Sequence, residues 1–199
     1  MAVSEVLGTK GERTRARLLQ VAVRRFAVDG FRRTSVAAVA EEAGVTAAAV
    51  YAYFPGKEGL FEAAVDADAA ALISEASEGV DDRALASPEP RLLPALMAGL
   101  ERHRLARRVL AGQEQEVIDR LLSIPALLNL RTRLAEALAA GQDEGRVRAD
   151  IDPKAIAVGL ETLTLALLMA WLKVPQYGEE RQRGVDAVFD AVLRPPDRP

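Results

Sequence analysis

Apolar residues recur at three- and four-residue intervals along nearly the whole chain, and no stretch keeps the two-residue alternation of a half-buried strand. The pattern predicts an all-α fold. A first helix is expected over about 12–28, with Leu18, Ala22 and Phe26 on one face, Leu19 and Val21 at its edge, and Arg17, Arg24 and Arg25 in water. Gly30 stands where a left-handed C-terminal cap is wanted. Thr34 and Ser35, either able to act as a cap, announce a short second helix in which Val36, Val39, Ala40 and Ala43 fall at i, i+3, i+4 and i+7. Gly44 breaks that helix, Val45 turns inward, and Thr46 caps a third helix over 47–53. Phe54-Pro55-Gly56 stops it, because proline lacks an amide donor and disfavours helical geometry in the residue before it. A fourth helix, over about 57–77, is long enough to connect two domains.

The segment GVDDRALASPEP, 79–90, reads as a polar, proline-bearing loop. Helices are expected beyond it at about 91–102, 105–112 and 125–141. Asp152 is placed as N-cap and Pro153 at the first helical position of a nearly all-apolar helix, 154–172, that Pro175 stops. A last helix over 179–193 ends before Pro195-Pro196. A helix apolar on nearly all sides needs burial on more than one face. The simplest arrangement packs one side on the chain's own core. Gly159, Thr162 and Ala166, with Val185, Val188, Phe189 and Val192 of the last helix, then meet a symmetry mate in a homodimer. A central helix of a monomer is the alternative. The same stretch is long enough to cross a bilayer, but Glu161 near its middle and the lack of a basic flank favour a buried helix and no membrane.

At 199 residues, half of them apolar, the chain can fill a real core in one large domain or two small ones. It contains no cysteine, which removes disulfides, thiolate metal sites and cysteine nucleophiles together. No glycine-rich phosphate loop follows a strand, no Ser-His-Asp set assembles around one histidine, and no acidic pair stands out by spacing. No enzyme, cofactor or metal site is therefore expected. The N-terminal MAVSEVLGTKGERTRARLLQ lacks the apolar run of a secretory signal, so a cytoplasmic location is expected. The net charge of -3 hides an asymmetry: residues 1–60 hold nine bases and six acids, which leaves -6 on the remainder. A basic head on an acidic body suits a polyanion-binding segment joined to a solubilising one.

The informative stretch is FAVDGFRRTSVAAVAEEAGVTAAAVYAYFPGKEGLF, 26–61. Two short helices joined by a glycine turn and braced by a longer one have the geometry of a helix-turn-helix unit. Plain bundle corners share that geometry. In the second of the two, Val45, Val50 and Phe54 can face the core while Thr46, Ala47, Ala48, Ala49, Tyr51 and Tyr53 stay outward. Small residues permit close approach to base edges, and phenol hydroxyls bond phosphate oxygens. Arg13, Arg15 and Arg17 read either as a solvated face or as DNA contacts.

These residues resemble the TetR family. Phe26, Gly30 and Phe31 match its Phe, three variable residues and Gly-aromatic pattern. Thr34 and Ser35 match its T-[TS] helix start, and Ala40 with Ala43-Gly44-Val45 match its I-A-x-x-A-G-V run. Thr46 matches the Ser or Thr that follows, and Tyr51-Ala52-Tyr53-Phe54-Pro55-Gly56-Lys57-Glu58 matches Y-x-[HY]-F-x-x-K-E. The likeness covers roughly 12–65. It implies a three-helix DNA-binding domain over 1–56, preceded by a flexible arm at about 1–11, and a ligand-binding and dimerisation bundle over 57–199. It also implies operator DNA as partner and repression relieved by a small effector. By that resemblance Thr34, Thr46, Tyr51, Tyr53 and Lys57 would contact phosphates, with Arg33 and Ser35 beside them, and Ala47, Ala48 and Ala49 would face the bases. Many relatives carry a polar pair where this chain has Ala47-Ala48, so bidentate readout is absent there. Thymine methyls, groove shape, Arg32, Arg33 or the N-terminal arm would then carry more of the specificity.

An effector pocket is expected among Met97, Leu100, His103, Leu127, Leu130, Leu134, Leu163, Leu167 and Trp171, with Leu96 beside them. Such walls suit an apolar or amphipathic molecule. His103 lies in an arginine-rich stretch and reads as a polar-edge residue or as a ligand donor.

Overall fold

The structure is a computed structural model that describes residues 10–78, 80–87, 92–174 and 179–195, with only the backbone of Glu179 and Gln182. Its elements are α1 Lys10–Arg33, α2 Val36–Glu42, α3 Ala47–Tyr51, α4 Gly56–Ala76, α5 Asp82–Leu85, α6 Leu92–Gly99 and α7 Arg104–Leu110. A 3₁₀ helix, Gln115–Ser123, precedes α8 Pro125–Asp143, α9 Pro153–Lys173 and α10 Glu179–Leu193. The fold is all-α, with no strand among the described residues. Most of the proposed arm, Pro88, Pro90, Pro175 and Pro196 lie outside the described residues.

The described chain divides into two compact units, one formed within Met1–Ala69 with Arg104–Asp119, the other within Ala70–His103 with Arg120–Pro199. The division falls inside α4. The first unit therefore holds the segment 10–56 together with the start of α4 and all of α7.

In the first unit, Leu18, Val21, Ala22 and Phe26 of α1 are buried, as their spacing requires. Phe26 and Phe31 both meet Phe61 of α4, with ring centroids 4.8 and 5.0 Å apart. Gly30, at φ 76° and ψ 173°, breaks the helical path within α1. An L side chain there would be strained, and its Cβ would lie 2.6 Å from the Arg108 guanidinium and 2.8 Å from the Glu114 carboxylate. The close approach has a purpose. Glu114 is buried, and its Oε2 accepts from the Phe31 amide at 3.1 Å while its Oε1 takes two donors from Arg108 at 2.8 and 2.7 Å. The segment after α7 thus clamps the end of α1. Asp68 of α4 accepts from the Ala106 amide at 2.8 Å and so satisfies an otherwise unpaired donor in the first turn of α7.

In the second unit, Ala137 and Leu138 of α8, Ala157 and Leu160 of α9, and Phe189 and Leu193 of α10 form the core with Ala86 and Val147. Asp152 caps α9 by accepting from the Lys154 amide at 3.0 Å, with Pro153 behind it, as the sequence predicts. The expected polar loop contains a helical turn, α5, because Asp81 accepts from the Ala84 amide at 2.7 Å. The helix expected to reach residue 102 ends at Gly99, where the bare backbone packs against Leu72; a Cβ there would lie 2.5 Å from the Leu72 methyl.

The expectation that α9 is buried on several sides is not met within one chain. Ala157, Leu160, Leu165 and Leu168 are buried, whereas Val158 and Leu163 are 46% and 43% exposed. Leu163, assigned to the pocket from sequence, falls on the outer face because helical spacing places it with Gly159 and Ala166. α9 is also long and apolar enough to cross a membrane by length and composition.

The Glu114 clamp gives a measurable expectation. Glu114→Ala leaves Arg108 and the Phe31 amide without their acceptor and should cost about 3 kcal/mol in a urea unfolding titration. A loss under about 1 kcal/mol would mean that the clamp does not hold the end of α1.

Candidate nucleic-acid interface

Ser35 is the N-cap of α2, its oxygen accepting from the Ala38 amide at 3.1 Å. α2 ends at Ala43, and Gly44 at φ 65° turns the chain, in the left-handed region that glycine enters without strain. Thr46 caps α3 by accepting from the Ala49 amide at 3.2 Å. α3 is only five residues long, so it cannot stand on propensity alone and takes its position from packing. Val50 is 0% and Phe54 2% exposed, and these two anchors fix which side faces out. Ala48 and Tyr51 are exposed, Tyr51 to 58%, while Ala47, Ala49 and Tyr53 are half-buried at the edges. The outward set has the composition expected from sequence, with Val45 only half-buried.

Two ties hold this pair of helices to α1. Glu42 accepts from Arg24 at 3.1 Å and also from Arg25. Hydrogen bonds from Arg25 first and Arg24 second hold its carboxyl below the usual range, so the tie is made at neutral pH. Arg15 stacks its guanidinium 5.1 Å from the centre of the Phe54 ring, beneath the end of α3. Arg17 comes within 3.4 Å of where a Cβ on Gly44 would sit. Sequence reasoning left Arg15 and Arg17 between a solvated face and DNA contact. The structure gives each a place beside the helix-turn-helix turn.

One of the expected phosphate contacts is turned inward, and another is engaged within the chain. Thr34 is 3% exposed, and its hydroxyl donates to the Gly30 carbonyl at 2.8 Å, so it closes the end of α1 and does not face outward. Lys57 donates to the Arg32 carbonyl at 3.2 Å and lies 4.4 Å above the Phe31 ring. Its charge braces the α1–α2 junction. Arg33 donates to the Asp29 carbonyl at 3.0 Å and is exposed, and Arg32, with an 84% exposed side chain, pairs with Glu116 at 3.4 Å. The Glu42, Glu114 and Glu116 partnerships were not foreseen. The last two join positions more than eighty residues apart and leave no local signal.

In the second unit the residues expected around an effector lie on several helices. Met97 of α6 is half-buried and Leu100 fully buried. His103 is 14% exposed, its Nε2 3.3 Å from Glu75 Oε2, and Arg102 meets the same carboxylate. Leu127, Leu130 and Leu134 of α8 and Leu167 and Trp171 of α9 are half-buried, and Leu134 and Leu167 pack on the same core.

A glycine turn between two short helices, with a buried anchor at Val50 and a small, aromatic outer surface, defines a helix-turn-helix DNA-binding head. The family pattern described as bacterial regulatory proteins, tetR family, matches residues 18–64. The uncharacterized HTH-type transcriptional regulator YdgC of Bacillus subtilis is 30% identical over 185 residues, covering 84% of this chain and 87% of that protein. The HTH-type transcriptional regulator TtgR of Pseudomonas putida is 28% identical over 178 residues, 83% of each. Among solved structures, SmeT, the repressor of the Stenotrophomonas maltophilia multidrug efflux pump SmeDEF, superposes with a TM-score of 0.61 at 21% identity, over 95% of this chain and 94% of that one. The chain belongs to the TetR family of bacterial transcriptional regulators. It is a DNA-binding regulator and not an enzyme.

The inward position of Thr34 separates folding from DNA contact. Thr34→Val removes a buried hydrogen bond and should lower stability by about 1 kcal/mol in urea. The salt dependence of DNA binding, measured by fluorescence anisotropy, should stay as in the wild type; a shallower slope would return Thr34 to the phosphate contacts.

Proposed function

We propose that the chain is a ligand-responsive repressor that binds a palindromic operator as a dimer and leaves it when a small apolar or amphipathic molecule enters the second unit. The observation that carries this reading is the outer surface of α3, where Ala48 and Tyr51 are exposed while Val50 and Phe54 lock the helix in place. Alanines let the helix approach base edges, and Thr46, Tyr51 and Tyr53 offer hydroxyls to phosphates on either side. Without long polar side chains at 47–49, discrimination rests on thymine methyls and groove shape, with the exposed Arg33 near the backbone. The solved repressor SmeT, of the same fold, supports repression as the direction of control. A cytoplasmic location follows from a chromosomal target in a bacterium.

A palindrome needs two heads about 34 Å apart. The exposed face of α9, with Val158, Gly159, Thr162, Leu163 and Ala166, and that of α10, with Gly184, Ala187, Val188 and Ala191, supply apolar, small-residue surface for a second copy. A Cβ on Gly159 or Gly184 would meet nothing within 4 Å, so that surface is open to an approaching helix. α4 runs on from the first unit into the second, and its rotation is the means by which an effector changes the spacing of the heads. A hundredfold loss of operator affinity needs only about 2.7 kcal/mol of coupling. By reciprocity, operator DNA weakens effector binding by the same factor.

Two experiments test this reading. Ala48→Glu places a carboxylate against the groove and should reduce binding to an operator recovered from genomic fragments by about a hundredfold or more, with the thermal midpoint unchanged. Retention of wild-type affinity would remove α3 from the interface. Val158→Asp should shift sedimentation from dimer to monomer and weaken operator binding with it; a dimer that persists would place the interface elsewhere.

A further inference from the structure

Among the described residues, only two buried side-chain oxygens lack a hydrogen-bond partner, the Ser77 hydroxyl and Oε1 of Glu161. A hydroxyl rotates toward any acceptor that comes near. A carboxylate oxygen held by its own ion pair cannot. The Glu161 side chain is 7% exposed, and its Oε2 is fixed by Arg131 of α8 at 3.2 Å, which leaves Oε1 buried and facing no donor. Buried polar atoms in folded proteins are paired, and an orphan of this kind marks a place where something else supplies the partner.

The surroundings indicate what that partner is. On α9, Glu161 shares the inner face with Ala157, Leu165 and Leu168, and the exposed Leu163 lies about half a turn away from it. On α8, Arg131 shares a face with Leu127 and Leu134 at i−4 and i+3, both of them among the walls expected for an effector. One polar pair therefore sits among apolar positions. Arg131 offsets the charge of Glu161, so the free oxygen asks for a single hydrogen-bond donor and not for a metal or a second ion.

We propose that Glu161 is the recognition group of the effector site and accepts a hydrogen bond from an O–H or N–H group of an otherwise apolar small molecule, while Arg131 holds the carboxylate in place. The proposal rests on the ligand-responsive reading above and adds the chemistry of its ligand. Apolar walls supply affinity by area, and the buried acceptor supplies selection, because a molecule without a donor leaves Oε1 unpaired.

Two isomers that differ only in the donor, 1-decanol and 1-methoxynonane, test this together with decanoate. Binding is read from the fluorescence of Trp171, the only tryptophan of the chain, and from the thermal midpoint. The wild type should bind 1-decanol about tenfold or more tightly than its isomer, the discrimination that one buried acceptor provides, and should bind decanoate more weakly than 1-decanol. Glu161→Leu should reduce the preference between the isomers to about twofold or less; it removes an unpaired buried atom but also leaves Arg131 without its carboxylate, so the midpoint should fall. Glu161→Gln, which keeps an acceptor oxygen, should retain part of the preference and stands in if the leucine variant does not fold. Equal binding of the isomers by the wild type, a preference that survives in Glu161→Leu, or tighter binding of decanoate would each overturn the role of Glu161 and leave the pocket standing. No binding of any of the three by the wild type would overturn the effector pocket itself.

Discussion

The fold of the DNA-binding head depends on one backbone reversal, at Gly30. At φ 76° that residue ends the helical path of α1 and sends the chain toward α2, and every later part of the head inherits its position from there. The reversal is held from several directions. Glu114 accepts the Phe31 amide, Thr34 returns a hydrogen bond to the Gly30 carbonyl, and Lys57 bonds the Arg32 carbonyl while lying over Phe31. The absent Cβ lets Arg108 and Glu114 close over the backbone. Conformational freedom and close packing are both needed at the same residue, and only glycine offers both.

Holding the junction this firmly explains how a five-residue helix can keep a fixed outer face, as the proposed recognition element needs. An isolated segment of that length does not stay helical in water. Here Thr46 satisfies its first turn, Val50 and Phe54 bury its inner side, and Arg15 backs the Phe54 ring. The outer residues are then free to be chosen for what they meet. Alanine on the exposed side of a short helix adds nothing to the core, and it allows the closest approach of backbone to a groove.

The second unit follows a different logic. α9 is apolar nearly throughout, yet it buries only one side within the chain. Its inner side includes the single carboxylate that a core helix would be expected to exclude, tied to Arg131 and otherwise unpaired. Its outer side keeps Val158 and Leu163 in water. A helix that served only to stabilise a monomer would do neither. The two departures are what the proposed effector site and the proposed contact with a second copy of the chain each rest on.

Helix periodicity, the glycines at 30 and 44, the caps at Ser35, Thr46 and Asp152, and the run from Tyr51 to Glu58 were all legible along the chain, because each acts within a few residues of itself. They determined the all-α class, the helix-turn-helix head and which way α3 faces. Sequence also suggested that Thr34 and Lys57 would point outward and Leu163 inward. Tertiary structure reversed the direction of Thr34 and Leu163 and tied Lys57 to the Arg32 carbonyl, since a side chain's orientation is set by the acceptor or neighbour that folding brings to it. The Phe31–Glu114 bond of the clamp, the α1–α2 tie through Glu42 and the Arg131–Glu161 pair join residues between 17 and 83 positions apart. No local rule encodes such a meeting, because each partner looks like an ordinary charged residue until burial removes water as its alternative.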